Sequence, residues 1–127
     1  DKGEERGGIG LAPRSGGEQS ALVFDYNHGD GIGLIRRQRP GHTEAGLDIL
    51  DPPPAGEFGH GGNPRVQVQV VNGDSQIVLR DAKGAPRLRF SVSKNGDPEI
   101  EFLDSNGKVT RQISAGGNSE PSGSERG

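Results

Sequence analysis

Apolar residues recur at every second position through most of this chain, which is the period of a pleated strand and not of a helix. Residues 65–72 show it best: Val66, Val68 and Val70 alternate with Gln67, Gln69 and Val71, placing three valines on one face. Residues 76–80 pair Ile77 with Leu79. Residues 87–92 turn Leu88, Phe90 and Val92 inward and Arg87, Arg89 and Ser91 outward, residues 99–103 present Ile100 and Phe102, and residues 109–113 end the series. The first half follows the same pattern more loosely, with strands expected around Ile9 and Leu11 and over 21–26, 32–36 and 46–50. That makes nine short strands.

Turn signals separate them. Asn72-Gly73-Asp74 supplies the positive φ of a tight hairpin, Asp81-Ala82-Lys83-Gly84 and Asp104-Ser105-Asn106-Gly107 share an Asp-x-x-Gly pattern, and Asn95-Gly96-Asp97-Pro98 lies between them. The two Asp-x-x-Gly turns precede strands bearing Arg87 and Arg111, which reads as an internal repeat of two strands and two turns. Two stretches, 37–43 and 51–64, are expected to be long loops, the second a possible boundary within a domain spanning 1–113. From Ser114 to Gly127 the chain is almost wholly Gly, Ser, Asn, Glu and Pro, so a disordered tail is expected there.

Composition sharpens this reading. With 23 Gly and 9 Pro among 127 residues, long helices are disfavoured. Leu, Ile, Val and Phe together number 27, a thin supply for a core, although a net charge of only −3 argues for folding over disorder. The absence of cysteine excludes disulfides, thiolate metal sites and cysteine nucleophiles. No apolar run approaches the 18 residues or so of a spanning helix, so no direct membrane insertion of the chain is expected. A start at Asp1 is expected of a processed chain or a fragment.

The run from Leu79 through Asp81, Gly84 and Arg87 to Phe90, continued by Gly96-Asp97-Pro98-Glu99-Ile100 and Leu103-Asp104-Ser105-Asn106-Gly107-Lys108-Val109, resembles uncharacterised bacterial proteins built of repeated Asp-x-x-Gly-x-x-Arg β-strand units. The segment from Asp1 to Gly10 is similar to a degenerate form of that unit. Thr110 stands where the unit has Arg, leaving Arg111 one position late. The resemblance implies an N-terminal membrane or export segment and hence an extracytoplasmic setting. It implies no catalytic residues.

The most site-like segment is Asp25-Tyr26-Asn27-His28-Gly29-Asp30-Gly31. Asp25, Asn27 and Asp30 are calcium candidates, but Gly29 takes the third ligand place of a calcium loop and Arg36 the twelfth, where Glu belongs. The same residues suit a hairpin turn without any ion. His28, His42 and His60 sit in Gly-flanked loops at spacings that do not pre-set a zinc site. Arg36, Arg37 and Arg39 form a basic cluster, yet an acidic chain with one Tyr, four Phe and no Trp is ill equipped to bind nucleic acid. Gly29-x-Gly31-x-Gly33 lacks the following helix of a phosphate cradle. Asp48 and Asp51 could do acid–base chemistry only across a cleft.

The reading is therefore an all-β antiparallel meander, open or solenoid-like, with no catalytic residues, no cofactor and no nucleic-acid partner. Its expected role is a non-catalytic structural or interaction module, meeting a protein partner or itself through a sheet face or edge. A glycan- or calcium-binding module is the alternative.

Overall fold

A computed structural model describes residues 7–14, 17–57 and 62–119. Over them the chain forms one ten-stranded antiparallel sheet whose spatial order is the chain order. The strands are β1 (Gly7–Arg14), β2 (Gly17–Tyr26), β3 (Gly29–Arg39), β4 (His42–Leu50), β5 (Pro64–Val71), β6 (Asp74–Arg80), β7 (Pro86–Val92), β8 (Pro98–Leu103), β9 (Val109–Ser114) and β10 (Gly117–Ser119). The sheet does not close on itself. Among the described residues no helix is long and apolar enough to cross a membrane.

Three expectations change. Residues 37–43 are not a long loop: Arg37, Gln38 and Arg39 pair with Glu44, Thr43 and His42, leaving Pro40-Gly41 as a two-residue connection. Proline presets its own φ and Gly41 takes a φ of 74°, so those two residues reverse the chain unaided. A tenth strand also appears, because Gly117, Asn118 and Ser119 pair with Ser114, Ile113 and Gln112. Backbone ladder bonds form at an edge whatever the side chains, so polar composition alone does not prevent it. The remainder of the expected tail, and Asp1 to Arg6 of the degenerate N-terminal unit, lie outside the described residues. Finally, β4 and β5 pair directly from Glu44 with Val71 to Leu50 with Pro64, so the sheet runs unbroken past residues 51–63.

The pairing register aligns the alternating apolar positions into ladders across the sheet. One runs Ile9, Leu22, Leu34, Leu47, Val68, Ile77, Phe90, Ile100, Ile113, from β1 to β9. Beside it run Phe24, Ile32, Ile49, Val66, Leu79, Leu88 and Phe102. Residues directly opposite in antiparallel strands hold their Cβ atoms about 5 Å apart, so each ladder is a continuous apolar row.

All four register shifts fall at one end of the sheet, at Phe24/Asp25, Ile49/Leu50, Leu79/Arg80 and Phe102/Leu103. A bulge bends its strand and increases twist, so four in a row along one end coil the sheet. Two of the hairpins there share a turn. In β6–β7 the Asp81 N–H donates to Ala85 O at 2.9 Å, the Gly84 N–H donates to Asp81 O at 2.9 Å, and Asp81 Oδ1 accepts from the Lys83 and Ala85 N–H groups at 2.9 and 3.1 Å. Asp104 repeats this with Lys108, Gly107 and Asn106 at 2.9 to 3.1 Å. Ser93 does the same at the opposite end with its hydroxyl, accepting from Asn95 and Asp97 at 3.3 and 3.2 Å.

Residues 51–63 carry the same closure with an insertion: the Asp51 N–H donates to Asn63 O at 2.9 Å and the Gly62 N–H to Asp51 O at 2.8 Å. Gly62-Asn63-Pro64-Arg65 thus corresponds to Gly84-Ala85-Pro86-Arg87. Side chains then tie successive hairpins together at this end. Tyr26 donates its hydroxyl to Leu50 O at 3.1 Å, Arg65 Nε to Arg80 O at 3.0 Å, and Arg87 Nε to Leu103 O at 3.0 Å.

Candidate functional site

Coiling makes the apolar face concave. It encloses an open hollow of about 1060 Å³ that runs from Ile9 on β1 to Ile100 on β8, lined by Leu22, Leu34, Val68, Ile77 and Phe90 among others. The sequence pattern assigned these residues inward, and here the structure corrects it, because among the described residues no second layer covers them. Phe24 is 59% exposed, Val70 47% and Ile77 41%, and Leu34, Val92, Phe90 and Phe102 are exposed in the same way. Side chains of a covered sheet face are normally buried in a core.

The opposite face is polar and better covered. Val78, only 2% exposed, lies on it between its register neighbours Gln67 and Arg89. Both neighbours are held by partners: Gln67 donates to Asp48 Oδ1 at 3.0 Å and accepts from Arg80 Nε at 2.8 Å, and Arg89 reaches Glu101 Oε2 at 2.7 Å. Their apolar stems shield the valine while their polar ends remain satisfied. Arg37 pairs with Glu44 at 2.9 Å further along the same face.

The candidate residues are placed as follows. Asp25 and Asp30 are register partners on β2 and β3, with Asn27 exposed in the turn between those strands. Asp25 Oδ1 is buried at the bulge with no hydrogen-bond partner, and the described residues hold no group of three or more His, Cys, Asp or Glu that could bind a metal. His28 lies in the β2–β3 turn and His42 at the start of β4, at opposite ends of the sheet, and His60 lies outside the described residues. The pleat divides the arginine cluster: Arg36 shares the apolar side with Glu18, 3.3 Å away, whereas Arg37 bonds Glu44 on the polar side. Gly29, Gly31 and Gly33 are buried in β3, where a Cβ on Gly31 would meet the Tyr26 ring at 3.0 Å. Asp48 is bonded to Gln67 and Asp51 to Arg65 at 3.2 Å, so each carboxylate has a structural partner.

One carboxylate is electrostatically tuned. Desolvation works to raise the Asp81 carboxyl, but the backbone N–H groups of Ala85 and Lys83, with Arg87 beyond them, outweigh it and hold the group below its ordinary value. These partners are the turn itself, which makes the shift a feature of the hairpin. The matching position after Asp104 is Thr110, which donates to Phe102 O at 3.2 Å, while Arg111 stacks 6.0 Å from the Phe102 ring centroid.

Comparison with family models, with curated proteins and with solved structures finds no match to the chain.

The residues the sequence singled out thus serve turns and cross-strand pairs, and the feature it missed is the bare apolar face. A signal for it was present: the face bearing Gln67, Arg89, Glu101 and Gln112 has too few apolar residues to form a second core, and the described strands bring no helix to cover the first.

Proposed function

We propose that the chain is a non-catalytic interaction module whose concave apolar face docks a protein partner, and that it belongs to a larger exported bacterial protein. The observation that carries the reading is the exposure of the two ladders, since contiguous apolar surface on this scale marks an interaction site. The paired state of Asp48, Asp51, Glu44 and Glu101 supports a structural role for the carboxylates over a catalytic one. The Asp-x-x-Gly turns, read as repeated units shared with the bacterial proteins they resemble, support the exported setting.

The absence of cysteine makes the test clean. In cells expressing the full chain, a small maleimide should label a Val68→Cys thiol about tenfold more slowly than an Asn95→Cys thiol in the exposed β7–β8 turn, because an occupied interface core excludes solvent. Denaturation should equalise the two rates. Equal rates in the folded protein would show a bare face and overturn the reading.

A further inference from the structure

We infer that two copies of this chain join edge to edge through β1, so that the apolar face of one runs on into that of the other, a contact that leaves the face itself open.

The first observation is the state of the edge. β1 pairs with β2 on one side, and among the described residues nothing pairs with its other side. Ladder bonds alternate, so every second residue of β1 directs its N–H and C=O away from β2. Sheet edges are normally blunted by shortness, charge, proline or a bulge. The opposite edge, β10, has three residues, whereas β1 has eight in an unbroken register with β2 from Gly7 to Arg14. Within β1, proline and charge arrive only at Pro13 and Arg14 beside the hairpin, so Gly7 to Ala12 form a bare, uncharged edge.

The second observation is Ile9. It is 83% exposed, against 59% for Phe24 on the neighbouring strand. It begins the long ladder and, with Gly10, lines the end of the hollow, which therefore stops at an open edge. A strand beyond β1 would give Ile9 a cross-strand neighbour about 5 Å away.

The third observation, self-complementarity, says whose strand that is. About a two-fold axis passing beside Ile9 and normal to the sheet, the two Ile9 residues meet, Gly8 of one copy faces Gly10 of the other, and Gly7 faces Leu11. The uncharged stretch then pairs with itself, and Pro13, which has no N–H to donate, falls beyond it. A Cβ at Gly8 or Gly10 would meet nothing within 4 Å, so the approach is unobstructed there. An axis normal to the sheet keeps both apolar faces on one side. The long ladder continues from Ile9 into the second copy, whose own Ile9 supplies the wall that the hollow lacks at this end.

Sedimentation equilibrium of the purified full chain from about 1 to 300 μM tests this, the range in which a contact of one strand pair is read. The expected result is a discrete species of twice 13.3 kDa, with no growth beyond it because the two-fold contact closes. Ile9→Lys sets like charges opposite one another on the edge and should raise the dissociation constant at least about tenfold, with the circular dichroism of the wild type. Ile9→Val keeps a strand-forming apolar residue and should pair as the wild type does. Phe90→Lys, on β7, alters the face and should leave the dissociation constant unchanged. Amide hydrogen exchange should show alternate β1 amides slowing as the pair forms. A monomer throughout the range overturns the inference, as does an oligomer that Ile9→Lys leaves intact or that Phe90→Lys dissolves. The reading of the face as a docking site is tested separately: pairing through β1 with a freely labelled Val68→Cys thiol in cells removes that reading alone, and a monomeric chain with a protected thiol removes the edge pairing alone.

Discussion

The two faces of this sheet invert the usual arrangement. On the polar side, long side chains bonded to one another cover Val78 to 2% exposure, while on the apolar side Ile77, its chain neighbour, stays 41% exposed. The chain is thus held together by its backbone ladders, its turns and a covered polar face, and its largest apolar resource is left over. The difference teaches that alternation builds the sheet, whereas burial needs a second surface that the described residues do not supply.

Neighbouring substitutions break the comparison most sharply. Val78→Asp places an unpaired carboxylate beneath Gln67 and Arg89 and should cost roughly 4 kcal/mol, enough to unfold a marginal domain. Ile77→Asp, one residue away on the open side, should leave the chain folded. Urea titrations at low protein concentration read both, and equal destabilisation would mean that the faces do not differ as described. Gly46→Ala comes next, because its Cβ would lie 2.8 Å from Val68 O and from Gln69 Cβ, backbone and stem that cannot swing away. A loss of about 2 kcal/mol is expected, read as a lower urea midpoint.

The turns should matter less. Asp104→Ala removes the acceptor for the Asn106 and Lys108 N–H groups and should cost about 1 kcal/mol, as loss of a cap does. The smallest effect is that of acid on Asp81. Its folded carboxyl lies below the unfolded value of 3.8, so its contribution is complete above that pH and disappears as pH falls through the lowered folded value. Asp81→Asn should therefore flatten the acid limb of the stability profile below 3.8 and leave the neutral slope unchanged.

Much of the fold was legible locally. Val66, Val68 and Val70 announce one face of β5, and Asn72-Gly73 announces its hairpin because Asn72 and Gly73 must take positive φ, 51° and 93°. The extent of β3 was harder to see, since Arg37 and Arg39 look like solvated loop until Glu44 and His42 are known to lie opposite. Likewise Ser93 and Asp51 form the same closure as Asp81, but one uses a hydroxyl and the other reaches across an insertion, and neither substitution follows a sequence pattern. That Asp25 and Asp30 would face each other beside a bulge was hidden for the same reason.

What the sequence determined by itself was strand period, turn position and the apolar or polar character of each side, because those depend on neighbours within a few residues. The tertiary structure alone decided that Ile9 to Ile113 line up in one row, that four bulges share one end and curve that row inward, and that nothing in the described chain lies over it. Register, curvature and coverage are relations between distant strands, and no local preference encodes them.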